Sequence, residues 1–587
     1  MTGHRPEQPA RRPISRRRVL GGSLAALGVL LAACRGTGDT PDTATEAPAA
    51  AALTPTPPPP TPNISATATV IAQLQSIRMP TTEPPTLDPA LATDHSSVQV
   101  AIQLFEGLTE IDEAGQTAPL GAERWEVGDD GRTYTFFLRG DRLWSDGTPV
   151  TADDYVWAWR RAIDPRTAAD YATLLYPIKN AARIHGQRLD SALLGATARD
   201  TRTLVVNLEE PLAHFPRLTS LVTFSPLKKE ALERHGDRWI RPENIVTNGP
   251  FRLIEWQHDR QIVLGRNPTY PNADRLMPRA TYRIFPDDGA AAVLAAYESG
   301  ALDVFGTGAS FEVPPTDAER ILADAASRPT VQTTPQSGTL FLAVNHRRPH
   351  LQDARVRRAL GQVIEREKLL KDVLKRVGTP ANALLPDGIV GRDESRWPTE
   401  DVGAARAALA DAGFLDGKDF PTISFAFNVS PQWTQLGEYL RQRYKDALGI
   451  ELKLEPMEWT AFMRWRRGEE WVKNGDLARG GWFSDYEDPY NWYNQIWDGR
   501  EDAASFNAGW KHELYDAFVR EAAFTFDRTD RTKLYSQAEE ILAAEYPSIP
   551  IFYYASRTLV RPYVTGFEPE RLLSLVRLKR VRLDEVR

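Results

Sequence analysis

Cysteine is nearly absent from this chain of 587 residues: Cys34 is the only one. No disulfide can form within the chain, so its stability must come from a buried core. Once residues 1–33 are set aside, no stretch stays apolar for the ~20 residues that a membrane-spanning helix needs. Catalytic signatures are missing as well. There is no His-Glu-x-x-His, no Gly-x-Ser-x-Gly and no Gly-x-x-x-x-Gly-Lys. The nine histidines are scattered, and the nearest pair, His346 and His350, has Pro349 between them, which argues against a helix and a metal site there. A basic balance is also lacking. The formal charge is −7, and removal of residues 1–33, with six arginines and one glutamate, leaves −12. An acidic body does not suit nucleic acid, which needs a basic face.

What is present begins at the amino end. Ser15-Arg16-Arg17-Arg18-Val19-Leu20 places an arginine pair before a short apolar run, Leu20 to Ala33, that is too short to span a bilayer. This pattern reads as an export signal of the twin-arginine type, to be removed before folding is considered. The run ends in Leu31-Ala32-Ala33-Cys34, which resembles a bacterial lipobox whose cysteine carries the lipid after cleavage. Residues 35–76 are rich in Thr, Pro and Ala, with Pro57 to Pro60 consecutive. Such a segment has little to bury and favours extended polyproline conformations, so it reads as a tether of up to ~3 Å per residue. The expected place of the mature protein is therefore outside the cytoplasm, anchored to the cell membrane by lipid alone.

The 511 residues that follow exceed one core and predict two or three domains. Strand patterns and amphipathic helices are mixed throughout. Tyr134–Leu138, Thr203–Leu208, Ile423–Phe427 and Ile450–Leu454 alternate as strands. Thr151-Ala152-Asp153-Asp154 has the form of a capping box, and Pro165 predicts that its helix ends near Asp164. A longer helix is predicted from Asp353 through Leu374 on the apolar spacing of Val356, Leu360, Val363, Ile364, Leu370, Val373 and Leu374. Another is predicted from about Thr434 to Leu448, closed by Gly449. The stretch from 400 to 455 reads helix, strand, helix, strand, and the fold class is α/β.

One stretch stands out chemically: Arg479-Gly480-Gly481-Trp482-Phe483-Ser484-Asp485. The glycine pair suggests a backbone that something approaches closely, and Asp485 beside an aromatic wall suits a cationic group. An ordinary loop with an aspartate cap fits the same residues.

Taken in order, the chain resembles the extracellular solute-binding protein family 5 of ABC importers, the oligopeptide- and dipeptide-binding proteins. The likeness runs from about Glu83 to Gly566. It rests on Pro85-Thr86-Leu87-Asp88-Pro89, Leu104-Phe105-Glu106-Gly107-Leu108 and Trp144-Ser145-Asp146-Gly147-Thr148-Pro149. Trp159-Arg160-Arg161, Thr247-Asn248-Gly249-Pro250-Phe251, Arg266-Asn267-Pro268, Val356-Arg357-Arg358-Ala359-Leu360 and Tyr553-Tyr554 continue the series. The resemblance implies a two-lobed, class II periplasmic-binding-protein-like fold with an additional inserted domain. Lobe I is then expected in residues 77–105, 221–335 and 550–587, the inserted domain in 106–220 and lobe II in 336–549.

The resemblance further implies a binding protein and not an enzyme, without cofactor or metal, expected as a monomer. It would hand a peptide to a membrane permease and, through it, to ATPase subunits. Asp485 would grip the peptide's free amino terminus. Gly481 and Phe483 would offer backbone contacts, Trp482 and Trp459 would wall side-chain pockets, and Arg479 would meet a carboxylate. Tyr171 and Asn248 match positions near the cleft. The chain departs from the family pattern after Asp88-Pro89, where it has Ala90-Leu91-Ala92-Thr93, and at Trp433, where a histidine can stand. It is also longer between Trp459 and Arg479, a segment carrying Arg464, Arg466 and Arg467 that could serve the ligand's carboxylate or form a solvated helix face. Two other readings stay open: the same fold holding an oligosaccharide or metal chelate, and a secreted hydrolase with paired carboxylates.

Overall fold

The computed structural model describes residues 76–584 apart from 307–310, 314, 324–329, 500–508 and 573. The export signal, Cys34 and the tether up to residue 75 lie outside the described residues. Among the described residues no helix is long and apolar enough to cross a membrane.

Two large cores organise the body. The first begins with a sheet in the order Ser76–Thr81, Arg279–Ile284, Gln261–Arg266, Phe251–Gln257. Its first pair is parallel, because the chain leaves after one strand and returns some two hundred residues later. The intervening residues build a second, antiparallel sheet, Ala122–Val127, Thr133–Leu138, Thr203–Asn207, Ala196–Asp200. Thr133–Leu138 alternates half-buried and buried residues, as a strand with one covered face should. Helix α1 (Ala152–Ile163) starts as the sequence predicts, with the Asp154 carboxylate accepting the Thr151 N–H at 2.8 Å. Ile77, Leu104, Phe136, Trp159, Val206, Phe251 and Tyr282 belong to one continuous apolar cluster. The inserted segment thus shares its core with the sheet that it interrupts.

The junction of the two is charged inside. Glu106, 4% exposed, accepts from Lys579 Nζ at 2.9 Å and from the Tyr270 hydroxyl at 2.9 Å, with Arg142 at 3.6 Å. Lys579 also meets Glu110 at 2.7 Å. Burial pushes the Glu106 carboxyl up, but Lys579 and Arg142 outweigh it and hold it below the usual range.

The second core forms around a larger sheet. Its main strands are β1 (Thr330–Val344), β2 (Ile423–Asn428), β3 (Leu452–Met457), β4 (Leu477–Phe483) and β5 (Ser548–Val560), ordered β5-β1-β4-β2-β3 with Val304–Phe305 beyond β5. Helices α2 (Ala354–Gln362) and α3 (Pro431–Leu448) pack on it, followed by α4 (Trp459–Arg467), α5 (Pro489–Trp497), α6 (Glu513–Phe524) and α7 (Arg528–Glu545). β5 is long enough to serve both cores. Ile549, Ile551 and Phe552 lie in the second cluster, whereas Val560 lies in the first. The ladder of β1 and β5 is irregular between Pro335 and Thr339. The fold is α/β and two-lobed.

Three sequence expectations shift. The helix predicted from Asp353 to Leu374 breaks after Gln362 into a short turn and a π-helical stretch, Leu369–Leu374. The Glu365 N–H turns to the Tyr439 hydroxyl at 2.9 Å and Arg366 reaches the Pro550 carbonyl at 3.0 Å, so tertiary hydrogen bonds override the periodicity. α3 starts earlier than predicted, at Pro431, because Ser430 caps it; it ends at Gly449, whose φ of +70° suits glycine. The strand predicted at Ile450–Leu454 lies at Leu452–Met457.

Glu539 on α7 is fully buried, accepting from Trp397 Nε1 at 2.8 Å and from the Tyr493 hydroxyl at 3.2 Å. Burial pushes its carboxyl up to about 7. A raised folded-state value means that the protonated form stabilises the fold, fully so below the unfolded value of 4.5 and lost as pH rises through about 7. Glu539→Gln, which mimics the protonated acid, is expected to stabilise the protein by about 3 kcal/mol at pH 8 and to change little at pH 4. Urea unfolding of both proteins at the two pH values measures this.

Candidate functional site

The stretch Arg479–Asp485 is β4 and the turn that leaves it. β1 pairs with β4 along its whole length, Gly338–Val344 against Phe483–Leu477. On the other side β2 pairs with it only at Phe425–Leu477 and Ala426–Ala478. From Arg479 to Phe483 that edge has no strand beside it among the described residues. The Arg479 carbonyl points to this open side, since it accepts from Arg466 at 2.5 Å. Alternation along a strand then turns the backbone groups of Gly481 and Phe483 the same way. Ser484 N–H bonds the Ser337 carbonyl at 2.8 Å, as the opposite parity requires.

The glycine pair has two separate reasons. A Cβ on Gly480 would meet the Phe341 ring at 2.7 Å, so this glycine is required by core packing. A Cβ on Gly481 would make only ordinary contacts, with the Thr339 carbonyl at 3.4 Å and the Tyr554 hydroxyl at 3.7 Å, so packing does not require this glycine. Phe483 is 39% exposed and lies 4.4 Å from the Tyr554 ring. Trp482 points to the opposite face, half-buried against the second core, with Nε1 on the Asn491 Oδ1 at 2.9 Å. Trp482 thus lies on the face of β4 opposite Gly481 and Phe483, against the second core.

Arg479 sits among aromatic rings. Its guanidinium carbon lies 4.6 Å from the Trp433 centroid and 5.1 Å from that of Trp459, and one nitrogen bonds Asn428. Trp459 opens α4, capped by Glu458, and stays 50% exposed. Burial lowers the pKa of Arg479, and it forms no ion pair among the described residues. A cation held by π-faces and one neutral amide oxygen keeps its charge available to an anion. Of the three arginines in this segment Arg464 and Arg467 are exposed, as on a solvated face, but Arg466 is 7% exposed, and burial, with Arg479 beside it, pushes it down to about 9.

At the other end, Asp485 is half-buried. Its carboxylate accepts from Asn491 Nδ2 at 3.2 Å, and its own N–H donates to Asn491 Oδ1 at 3.1 Å. Asn491 is fully buried on α5 and thereby orients both Asp485 and Trp482. Burial raises the pKa of Asp485, and Asn491 opposes this only in part. No cation pairs with it among the described residues. Asp485 and Tyr171 line a cavity of about 520 Å³ between the inserted segment and the second lobe. Burial, and then the charge of Asp485, raises the pKa of the Tyr171 phenol.

The structure therefore gathers Arg479, Gly481, Phe483 and Trp459 along one open edge and places Asp485 with Tyr171 at its end. Asn248 is different. Its Oδ1 accepts the Glu106 N–H at 3.2 Å and its Nδ2 donates to the Glu106 carbonyl at 2.9 Å, so it locks a turn inside the first lobe. Trp433 and Tyr554, seen in the sequence only as a departure and as part of the family pattern, join the site, and Asn491 joins it without a local sequence signal that distinguishes it from a core residue.

Comparison with known proteins adds the family. A model described as "Bacterial extracellular solute-binding proteins, family 5 Middle" matches residues 116–504. YgiS of Escherichia coli, named a probable deoxycholate-binding periplasmic protein, is 34% identical over 83% of this chain and 89% of its own. The periplasmic oligopeptide-binding protein OppA of Salmonella typhimurium is 32% identical over 82% and 87%. The murein tripeptide-binding protein MppA in its unliganded open form superposes with a TM-score of 0.77 at 28% identity, covering 87% of this chain and 97% of that one. A second structure of MppA, from Escherichia coli, gives 0.66 at the same identity, covering 87% and 98%.

Proposed function

Because the chain belongs to the bacterial extracellular solute-binding proteins of family 5, we propose that it captures peptides in the interlobe cleft and delivers them to a membrane permease. The observation that carries this is Asp485: a desolvated carboxylate with no cation partner among the described residues, at the end of an unpaired strand edge. A peptide's ammonium supplies the missing charge in a charge-assisted bond about twice as strong as a neutral one. Its backbone adds to the free groups of Gly481 and Phe483, as in strand addition. Arg479, with Arg466 behind it, waits six residues away for the carboxylate. At ~3.3 Å per residue that is at most about 20 Å of strand, which favours short peptides.

The ligand closes the two lobes on one another about β1 and β5. Better superposition on the open form of MppA than on its other structure supports an open, ligand-ready arrangement here. The lobe boundaries near residues 335 and 550 and the insertion at 106–220 belong to this proposal, as does lipid anchoring through Cys34. Cys34→Ser is expected to move the protein from the membrane pellet to the soluble extracytoplasmic fraction, and persistence in the pellet would remove the anchor.

A non-peptide ligand is the second reading, favoured by the name of YgiS. A bile acid is an anion without an ammonium group and would leave Asp485 buried and unpaired, which is costly. Native mass spectrometry of protein purified gently from cells separates the two. Co-purified peptides of mixed sequence support the proposal, and a single sterol, sugar or metal complex overturns it.

A further inference from the structure

The cavity beyond Asp485 is larger than an ammonium needs. It continues past the acid between the inserted segment and the second lobe, at about 520 Å³ within the range of ligand pockets. Its walls are aromatic: Tyr171 and Tyr176 from one side, Tyr490 and Phe524 from the other. Such faces attract cations as well as apolar groups. Two acids line it, Glu209 and Glu210, exposed in the loop after strand Thr203–Asn207. The Glu209 carboxylate accepts the Asn180 N–H at 2.7 Å, which fixes its position, and neither acid forms an ion pair among the described residues. Arg520 on α6 is the one arginine or lysine in the lining among the described residues. With Asp485 neutralised by a bound ammonium, the remaining charges of the lining sum to one negative among the described residues.

We propose that this cavity receives the side chain of the ligand's first residue and selects a long cationic one, lysine or arginine, against an acidic one. The inference rests on the peptide reading of Asp485. An ammonium on Asp485 puts the first α-carbon at the cavity mouth. A lysine stem then lies along the tyrosine and phenylalanine rings while its charge meets Glu209 and Glu210. A glutamate there would face the same two acids. Because both acids are exposed, the effect is moderate.

The test is calorimetric titration of the full-length protein with Lys-Ala-Ala, Ala-Ala-Ala and Glu-Ala-Ala. Lys-Ala-Ala is expected to bind about tenfold more tightly than Glu-Ala-Ala. In the Glu209→Gln/Glu210→Gln variant, which keeps the oxygen that accepts from Asn180, the difference should fall below about threefold. Ala-Ala-Lys against Ala-Ala-Glu should give the same ratio in both proteins. Equal affinity for Lys-Ala-Ala and Glu-Ala-Ala while Ala-Ala-Ala still binds would overturn the inference and leave the peptide reading standing. An unchanged ratio in the double variant overturns it too. Failure of all three peptides to bind brings down the peptide reading and this inference with it.

Discussion

Asp485→Asn is expected to weaken binding of free-amino peptides by at least a hundredfold, about 3 kcal/mol, while binding of the same peptides N-acetylated stays within a few-fold. The change keeps the shape of the side chain and its contact with Asn491, and removes only the charge. A desolvated ammonium would then sit beside a neutral amide, whereas an acetylated terminus has no charge to lose. Titration calorimetry with paired peptides measures the contrast, and equal losses for both series would refute the grip. Acidity should act in the same direction. Burial raises the pKa of Asp485, so the carboxylate is lost above the usual carboxylate range as pH falls. Affinity of the native protein for free-amino peptides should drop on acidification, and that of the asparagine variant should not.

Glu106→Ala is expected to destabilise the protein by about 3–5 kcal/mol. Glu106 is buried with Lys579, Tyr270 and Arg142 around it, and its loss leaves Arg142 without its acid and Lys579 with Glu110 alone. Its depressed pKa adds stability that is present above the unfolded value of 4.5 and lost as pH falls through the folded one. The substitution should therefore cost more at pH 7 than at pH 3, read by thermal or urea unfolding. Adding Lys579→Met should recover part of the loss. Strict additivity of the two changes would mean that the pair is not coupled.

How much of this was legible in the chain differs by scale. Local elements read well where one residue type decides a local conformation. Asp154 closes a capping box with Thr151, Gly449 takes a positive φ, and Thr133–Leu138 alternates in and out. The helix expected from Asp353 failed because the Tyr439 hydroxyl and Pro550 carbonyl, both distant in sequence, outbid its periodicity. The motif Leu104-Phe105-Glu106-Gly107-Leu108 could be recognised as part of a pattern, but its charged residue gained a purpose only when Lys579, 473 positions away, came into contact.

The site divides the same way. Residue chemistry alone marked Asp485 and Arg479 as opposite charges beside aromatic and glycine residues. That packing requires Gly480 but not Gly481 follows from which side of β4 each occupies, which needs the neighbouring strand. Arg466 looked like one more solvated helix residue, yet it is buried against the Arg479 carbonyl. Asn491 is an ordinary core residue in the chain, and Trp433 stood out only as a departure from the family pattern; their positions behind Asp485 and over Arg479 give them roles. The order of residues along the chain settled the family, the α/β class and the two charges. Tertiary structure decided which charges lose their water, which edge stays unpaired and what lies beyond the acid, because burial and pairing depend on residues hundreds of positions apart.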